Sequence, residues 1–219
     1  MKGPGKVYLV GTSHDGVLRE VFRRVHVEIP TPRVAITYAA LPHPPRDGHQ
    51  HAASIGRLFH PAATVERFSV DGEDDAMPAS KARAIVENAN VLFFGGGDPV
   101  LIAQRLVAAG ADAWVREARA RGAVSVGLSA GSIALCAFWA SWPDDDPDAK
   151  ATVLPCLRVV PDLVVDCHAE GDDWEELRVV RHQLGKDAHR LRFAGIGSGS
   201  ALVVGSDESL EWIGKPFSL

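Results

Sequence analysis

The segment Val124–Ser132, with the sequence VSVGLSAGS, constrains the fold of this chain more than any other. Its first residues favour a buried strand, and its last residues are small and open a helix. Between them, Gly127 and Gly131 flank Ser129 in a G-x-S-x-G pattern, which at a strand-to-helix turn raises a serine hydroxyl above the edge of an α/β sheet. The free N–H groups of the helix start then lie where an oxyanion could form. The alternative is a tight turn in which Ser129 only caps the helix.

The rest of the chain alternates between strand-like and helical patterns, which predicts an α/β fold with a mostly parallel central sheet and helices on both faces. We expect one domain over residues 1–219, closed by an antiparallel hairpin, and a polar surface loop over Ser141–Lys150. The expected strands are Lys6–Val10, Arg33–Tyr38, Thr64–Val70, Val91–Phe94, Leu163–Asp166 and Arg192–Ile196, with Ala201–Val204 and Leu210–Ile213 as the hairpin. The expected helices are Asp15–Val25, Gln50–Phe59, Ala79–Asn88, Pro99–Ala109, Asp112–Arg121 and Trp174–Leu184.

Composition and charge exclude several classes of function. The net charge of −5 over 219 residues favours neither nucleic acid nor an anionic membrane surface. No apolar run approaches the roughly 20 residues that span a bilayer, and the first residues lack the apolar region of a signal peptide. The three cysteines have no C-x-x-C spacing, so we expect neither disulfides nor a zinc site, and we expect a cytoplasmic protein.

A nucleophilic serine needs a general base, and His168 is the best candidate among the nine histidines. It directly follows the apolar run Leu163–Val165, at the expected carboxyl end of a strand of the parallel sheet, where such sheets collect their site residues. His14, at another strand end, is a minor alternative base. The other interpretation of His168 is an exposed surface side chain.

A second glycine cluster, in the sequence FFGGGDP over residues 93–99, also joins a predicted strand to a predicted helix. Glycines let a backbone amide approach an oxyanion closely. The same residues also suit a tight turn capped by Asp98, with Pro99 as the first helical residue. No phosphate-binding or dinucleotide-binding fingerprint is present, so we expect no cofactor and no metal.

Together, FFGGGDP and GLSAGSIAL, about thirty residues later, resemble the dipeptidase E and cyanophycinase family of serine peptidases. The resemblance covers nearly the whole chain and implies a class I glutamine-amidotransferase-like fold, with serine in the place of the amidotransferase cysteine. It implies that Ser129 is the nucleophile and His168 the catalytic histidine. It also implies that the amides of Gly97 and Ala130 form the oxyanion hole.

The resemblance further implies an aspartate as the third catalytic residue, at Asp144 by spacing, although Asp145 and Asp146 are adjacent and the choice stays open. The alternative is a solvated loop. The family resemblance also implies that an arginine binds the acidic side chain of the substrate, with Arg178 a better match than Arg181. A guanidinium suits this role because it can donate two parallel hydrogen bonds to a carboxylate. The alternative is a surface ion pair with a nearby acid, namely Asp173, Glu175 or Asp187.

Two segments depart from the family pattern and leave substrate preference open: Gly11–His14, where many relatives have a glycine pair, and the Pro- and His-rich stretch Pro42–His51. The leading expectation is a serine peptidase that cleaves Asp-X dipeptides through a Ser-His-Asp triad and an acyl-enzyme. The alternatives are a cyanophycinase-like enzyme for β-linked Asp-Arg, an esterase-type hydrolase, and a non-catalytic binding protein of the same fold. The expected partner is a small peptide, with no nucleic acid or membrane; a homodimer is left open.

Overall fold

The computed structural model of the protein describes residues 3–12, 15–43, 55–56, 58–59, 61–142 and 150–218. Strands and helices largely alternate up to residue 135, as the hydrophobic pattern predicts, whereas strands predominate after it. The strands are β1 (Val7–Val10), β2 (Arg33–Thr37), β3 (Thr64–Arg67), β4 (Val91–Phe94), β5 (Val124–Leu128), β6 (Phe138–Ser141), β7 (Thr152–Pro155), β8 (Leu163–Cys167), β9 (Arg192–Ile196), β10 (Ala201–Val204), β11 (Leu210–Ile213) and β12 (Phe217–Ser218). The helices are α1 (Asp15–Glu28), α2 (Ala79–Asn88), α3 (Pro99–Ala108), α4 (Ala111–Ala120), α5 (Ala130–Leu135) and α6 (Glu175–Leu184), and a 3-10 helix covers Gly185–Arg190.

The central sheet has seven strands in the order β11-β10-β1-β5-β4-β2-β3. The five strands from β1 to β3 in this order are parallel to one another. The strands β10 and β11 form the antiparallel hairpin. This hairpin joins the sheet because β10 pairs with β1, also in the antiparallel direction. The predicted fold class, a mostly parallel α/β sheet with a C-terminal antiparallel hairpin, is therefore confirmed.

The inner strands of the central sheet are buried on both faces, which explains why β1, β4 and β10 are apolar throughout rather than alternating, whereas the edge strands β3 and β11 carry exposed residues. Side chains of β1 alternate between the faces: Tyr8 and Val10 pack with Phe22 of α1, whereas Leu9 packs with helical residues such as Leu106 on the other side. Burial of each large apolar side chain stabilises the folded state by about 1.5–3 kcal/mol. Helices thus pack on both faces of the sheet, and the carboxyl ends of its parallel strands meet at one edge.

The strand that precedes His168 differs from the sequence-based expectation, because β8 does not belong to the central sheet. It pairs in parallel with β9 in a separate three-stranded sheet of order β12-β9-β8. An apolar cluster that includes Val164, Trp174 and Phe193 packs α6 against this small sheet. The backbone N–H of Ala137, just after α5, donates to Leu163 O at 2.8 Å and so joins β8 to the region of Ser129.

Several expectations concern residues outside the described ranges. The expected helix Gln50–Phe59 lies largely outside them, as do His14 and the three aspartates Asp144, Asp145 and Asp146. Within the described residues, no helix is both long and apolar enough to cross a membrane. The cysteines Cys136, Cys156 and Cys167 are all free and buried.

Candidate active site

Ser129 lies in the turn that joins β5 to α5, with φ 51° and ψ −117°. Residues with a Cβ rarely adopt this backbone conformation, and it persists only where the surroundings impose it. The flanking glycines permit the turn to close. A Cβ atom on Gly127 would lie 2.6 Å from Ser132 Cα, and one on Gly131 would lie 2.2 Å from Phe94 O. The turn therefore requires glycine on both sides of Ser129, and it presents the half-buried serine at the sheet edge.

The turn at Ser129 is hydrogen-bonded to Val10, the last residue of β1. The Ser129 N–H donates to Val10 O at 2.8 Å. The buried Ser132 hydroxyl accepts from Val10 N at 2.8 Å and donates to Val10 O at 3.0 Å. Ser132 was not predicted as a positioning residue, although a lone hydroxyl in the apolar start of a buried helix is a usable signal.

His168 comes directly after β8, and its imidazole faces Ser129. Its backbone N–H donates to Ile196 O at 2.9 Å, which extends the pairing of β8 with β9 by one residue. Its own φ of 51° turns the chain there. Its Nε2 atom lies 2.9 Å from Ser129 Oγ, which is hydrogen-bonding distance. This geometry allows direct proton transfer from the hydroxyl to the ring.

The glycine turn between β4 and α3 lies against Ser129. A Cβ atom on Gly96 would be 3.5 Å from Ser129 Cβ. Gly97 has φ 141°, and a Cβ atom there would lie 2.3 Å from Ala40 O, so only glycine fits. Asp98 caps α3 by accepting from Val100 N at 2.7 Å. The functional and the structural interpretation of this turn are therefore compatible.

Ala130 is the first residue of α5, and the first N–H groups of a helix have no acceptor within it. Its amide lies next to Ser129 in the chain, and the Gly95–Gly97 turn lies against the same serine at Gly96. The glycine turn and the start of α5 thus both lie beside Ser129. Such an arrangement can stabilise negative charge on an oxygen bonded to a carbon that Ser129 has attacked.

The two candidate substrate arginines have other partners in this structure. Arg178 forms an ion pair with Asp173, and its Nη2 donates to Asp172 O at 3.2 Å. Arg178 also lines a cavity of about 900 Å³ to which neither Ser129 nor His168 contributes. The guanidinium carbon of Arg181 lies 5.8 Å from the ring centroid of Phe193. The hydrogen bonds, ion pair and ring contact of these two arginines among the described residues do not include Ser129 or His168.

Two carboxyl groups are buried together behind the end of β8. Asp166 is only 2% exposed, and its Oδ1 accepts from Cys167 N at 2.7 Å. The Oδ2 atom of Asp166 is also buried, as is the Oε2 atom of Glu176 on α6. Neither oxygen has a hydrogen-bond partner among the described residues. Burial, and next the negative charge of Glu176, raise the pKa of Asp166 to about 8. The neutral, protonated form of Asp166 is therefore favoured in this buried position more than in an exposed aspartate.

A third carboxylate, Glu170, lies two residues after His168 and is exposed. It accepts a hydrogen bond from the backbone N–H of Ser198. Burial alone would raise the pKa of Glu170, but the hydrogen bonds from Ser198 and the positive charge of His168 act against it, and the pKa is lowered overall. In the part of the chain that the structure describes, no three His, Cys, Asp or Glu side chains cluster closely enough to bind a metal ion.

Comparisons with known proteins point to one family. Residues 73–211 match the model of peptidase family S51, which is more than half of the chain. The fold is similar to the crystal structure of a peptidase from an acI-B1 Actinobacterium, with a TM-score of 0.65, 17% identity, and coverage of 99% of this chain and 98% of that one. It is also similar to a protein of Listeria monocytogenes EGD-e provisionally named peptidase E, with a TM-score of 0.66, 15% identity, and coverage of 98% and 100%. No curated protein sequence matches this chain significantly.

Proposed function

This chain belongs to peptidase family S51, and we propose that it is a serine peptidase that hydrolyses dipeptides beginning with aspartate. The observation that carries the serine mechanism is the 2.9 Å contact between Ser129 Oγ and His168 Nε2. A serine hydroxyl is a weak nucleophile near neutral pH and becomes reactive when an imidazole can take its proton. The strained backbone of Ser129 supports the same role, because such strain clusters at functional sites.

In the proposed mechanism, Ser129 Oγ attacks the carbonyl carbon of the peptide while His168 Nε2 takes its proton. The N–H groups of Gly97 and Ala130 hold the resulting oxyanion. His168 then gives the proton to the amine nitrogen as the C–N bond breaks, which leaves an ester between Ser129 and the acyl group. Water attacks this ester with His168 again as the base, and Ser129 Oγ recovers its proton.

An imidazole base also needs an acceptor on its other nitrogen to fix its tautomer and orientation. The family resemblance implies Asp144 for this role, with Asp145 and Asp146 as neighbours in the sequence. All three lie outside the described residues, so their assignment remains part of the proposal.

For specificity, we propose that Arg178 or Arg181 receives the side-chain carboxylate of the substrate. Arg178 is 47% exposed and its partner Asp173 is 80% exposed, so their ion pair lies in water. Exposed ion pairs contribute at most about 1 kcal/mol. A substrate carboxylate can therefore replace Asp173 at little cost and gain the two parallel hydrogen bonds that a guanidinium offers.

We also propose that the peptidase works in the cytoplasm on small peptides without a cofactor. The three cysteines are free and buried, which agrees with a reducing compartment. Their burial raises the pKa of each thiol, and this opposes formation of the reactive thiolate.

The test is turnover of a peptide panel by the purified protein and its variants. The panel contains Asp-X, Glu-X and neutral dipeptides, β-linked Asp-Arg, and p-nitrophenyl esters. We expect Asp-X dipeptides to give the highest kcat/KM, and Ser129→Ala and His168→Ala each to lower it by roughly 10⁴-fold or more without loss of fold. Arg178→Gln and Arg181→Gln, compared with each other, should show which arginine supports the preference for aspartate.

Equal turnover of neutral and acidic dipeptides would contradict the proposed specificity while leaving a serine peptidase intact. Full turnover by Ser129→Ala would contradict the serine mechanism itself. Turnover of the esters or of β-linked Asp-Arg alone would instead favour the esterase-type or the cyanophycinase-like alternative.

A further inference from the structure

The glycine turn beside Ser129 lies against the segment 38–42, which follows β2. The backbone N–H of Asp98, at the end of the turn, donates to Ala40 O at 2.7 Å. Gly97 approaches the same carbonyl so closely that a Cβ atom on it would lie 2.3 Å from Ala40 O. The position of the glycine turn therefore depends on the position of Ala40.

The segment 38–42 is irregular, and one side chain, Arg105 of α3, binds several of its carbonyl groups. The Nη1 atom of Arg105 donates to Ala39 O at 3.1 Å and to Leu41 O at 2.6 Å. Its Nη2 atom lies 3.5 Å from Pro42 O and donates to it. Buried carbonyls need a donor, and beyond the end of β2 the guanidinium takes the place of a neighbouring strand. The hydrogen bonds of Arg105 among the described residues thus all go to one short segment.

Arg105 and the glycine turn are linked by α3, which begins where the turn ends. Asp98 caps the start of this helix through Val100 N, and Arg105 projects from its second half. The Arg105 side chain is half-buried, and a Cβ atom on Gly72 would lie 3.6 Å from its Nε. A guanidinium suits such a contact because its donors have a fixed planar arrangement, which a lysine ammonium lacks. The segment 38–42 is therefore bound to both ends of α3.

We propose that Arg105 is a positioning residue for the oxyanion hole: by binding the carbonyls of Ala39 and Leu41, it fixes Ala40 and thereby the glycine turn that contains Gly97. This inference rests on the proposed function, because it concerns an amide that binds the oxyanion in the same serine mechanism. Arg105 acts through the backbone of the segment 38–42 and does not itself contact the reacting atoms.

Three variants separate this role from a general contribution to stability. Arg105→Gln removes the guanidinium, and Arg105→Lys keeps the positive charge without the planar set of donors. Arg116→Gln is the matched control, because Arg116 of α4 donates to another backbone carbonyl, Leu157 O, at 2.8 Å. Leu157 belongs neither to the glycine turn nor to the segment 38–42. Arg105→Gln and Arg116→Gln thus remove the same kind of hydrogen bond at two different places.

The experiment measures kcat and KM for the dipeptide that the wild type cleaves best, and the rate at which a fluorophosphonate labels Ser129 between pH 5 and 9. We expect Arg105→Gln to lower kcat and the labelling rate roughly tenfold or more, since the oxyanion exists only in the transition state. KM should change by less than about twofold. The midpoint of the pH–rate profile should not move, because the base is unaltered. Arg105→Lys should fall between the wild type and Arg105→Gln, and Arg116→Gln should match the wild type.

The outcomes distinguish this inference from the proposed function. A wild-type rate in Arg105→Gln, a loss that Arg116→Gln shares equally, or a rise in KM at unchanged kcat would overturn the role of Arg105 alone. Thermal unfolding and the final labelled fraction show whether each variant is folded. If Arg105→Gln does not fold, the same criteria apply to Arg105→Lys. A wild-type protein whose Ser129 is never labelled would overturn the proposed function and this inference together.

Discussion

At the scale of single residues, the candidate site depends on a serine held in an unfavourable backbone conformation. A positive φ at a residue with a Cβ costs of order 1–3 kcal/mol, and Ser129 has φ 51°. The surroundings compensate through glycines at positions 127 and 131 and through the hydrogen bonds that Ser132 and Ser129 make with Val10. The reactive geometry is therefore imposed by neighbouring residues and not by Ser129 itself.

We predict that Ser132→Ala destabilises the protein. The substitution removes the acceptor of Val10 N, and a buried N–H without a partner costs about 1–3 kcal/mol. Denaturant unfolding measures the loss as a decrease in the free energy of unfolding, seen as a lower midpoint at an unchanged m-value.

Ser125→Ala is the control for this prediction, because both serines are fully buried. The Ser125 hydroxyl has no hydrogen-bond partner among the described residues, so its removal should be neutral or stabilising. Equal losses in the two variants would show that the hydrogen bonds to Val10 do not stabilise the turn.

At the scale of elements, α6 and β8 are joined by the buried Asp166–Glu176 pair, one residue before the end of β8. The folded state raises the pKa of Asp166 from 3.8 to about 8, through burial first and then through the charge of Glu176. The folded protein thus holds a proton that the unfolded chain releases. This contribution to stability is complete below about pH 4 and is lost as the pH rises through about 8.

We therefore predict that Asp166→Asn makes the stability of the protein less dependent on pH. Asparagine keeps the acceptor for Cys167 N and presents a permanent donor toward Glu176. Between pH 5 and pH 8 the free energy of unfolding of the wild type should fall by on the order of a few kcal/mol more than that of the variant. Thermal unfolding across this range, with Asp71→Asn as an exposed control, measures the difference. Parallel curves for the wild type and Asp166→Asn would show that folding does not raise the pKa of Asp166.

At the scale of the whole molecule, local patterns in the sequence predicted the central sheet and most of its helices. Strands with two buried faces are continuous apolar runs, and the segment over Ala79–Asn88 has the helical spacing that the structure confirms. The turns at residues 95–97 and at Ser129 were identifiable because their glycines occur at fixed places between a strand and a helix.

What the sequence could not predict depends on pairing between distant segments. The separation of β8 and β9 into their own sheet depends on packing against α6, and nothing in the residues of β8 distinguishes a central strand from one in a second sheet. The contact between Glu170 and Ser198 joins residues 28 positions apart. The buried acid at Asp166 stands in an apolar strand, which is a local signal, but its partner on α6 is identified only in three dimensions.

The central claim is that a hydroxyl at position 129 is activated by an imidazole at position 168, and peptide mapping after fluorophosphonate treatment tests it most directly. We predict one covalent adduct, on Ser129, and a rate of adduct formation that falls at least a hundredfold in His168→Ala. An adduct on another serine, or equal rates in the wild type and His168→Ala, would contradict the claim.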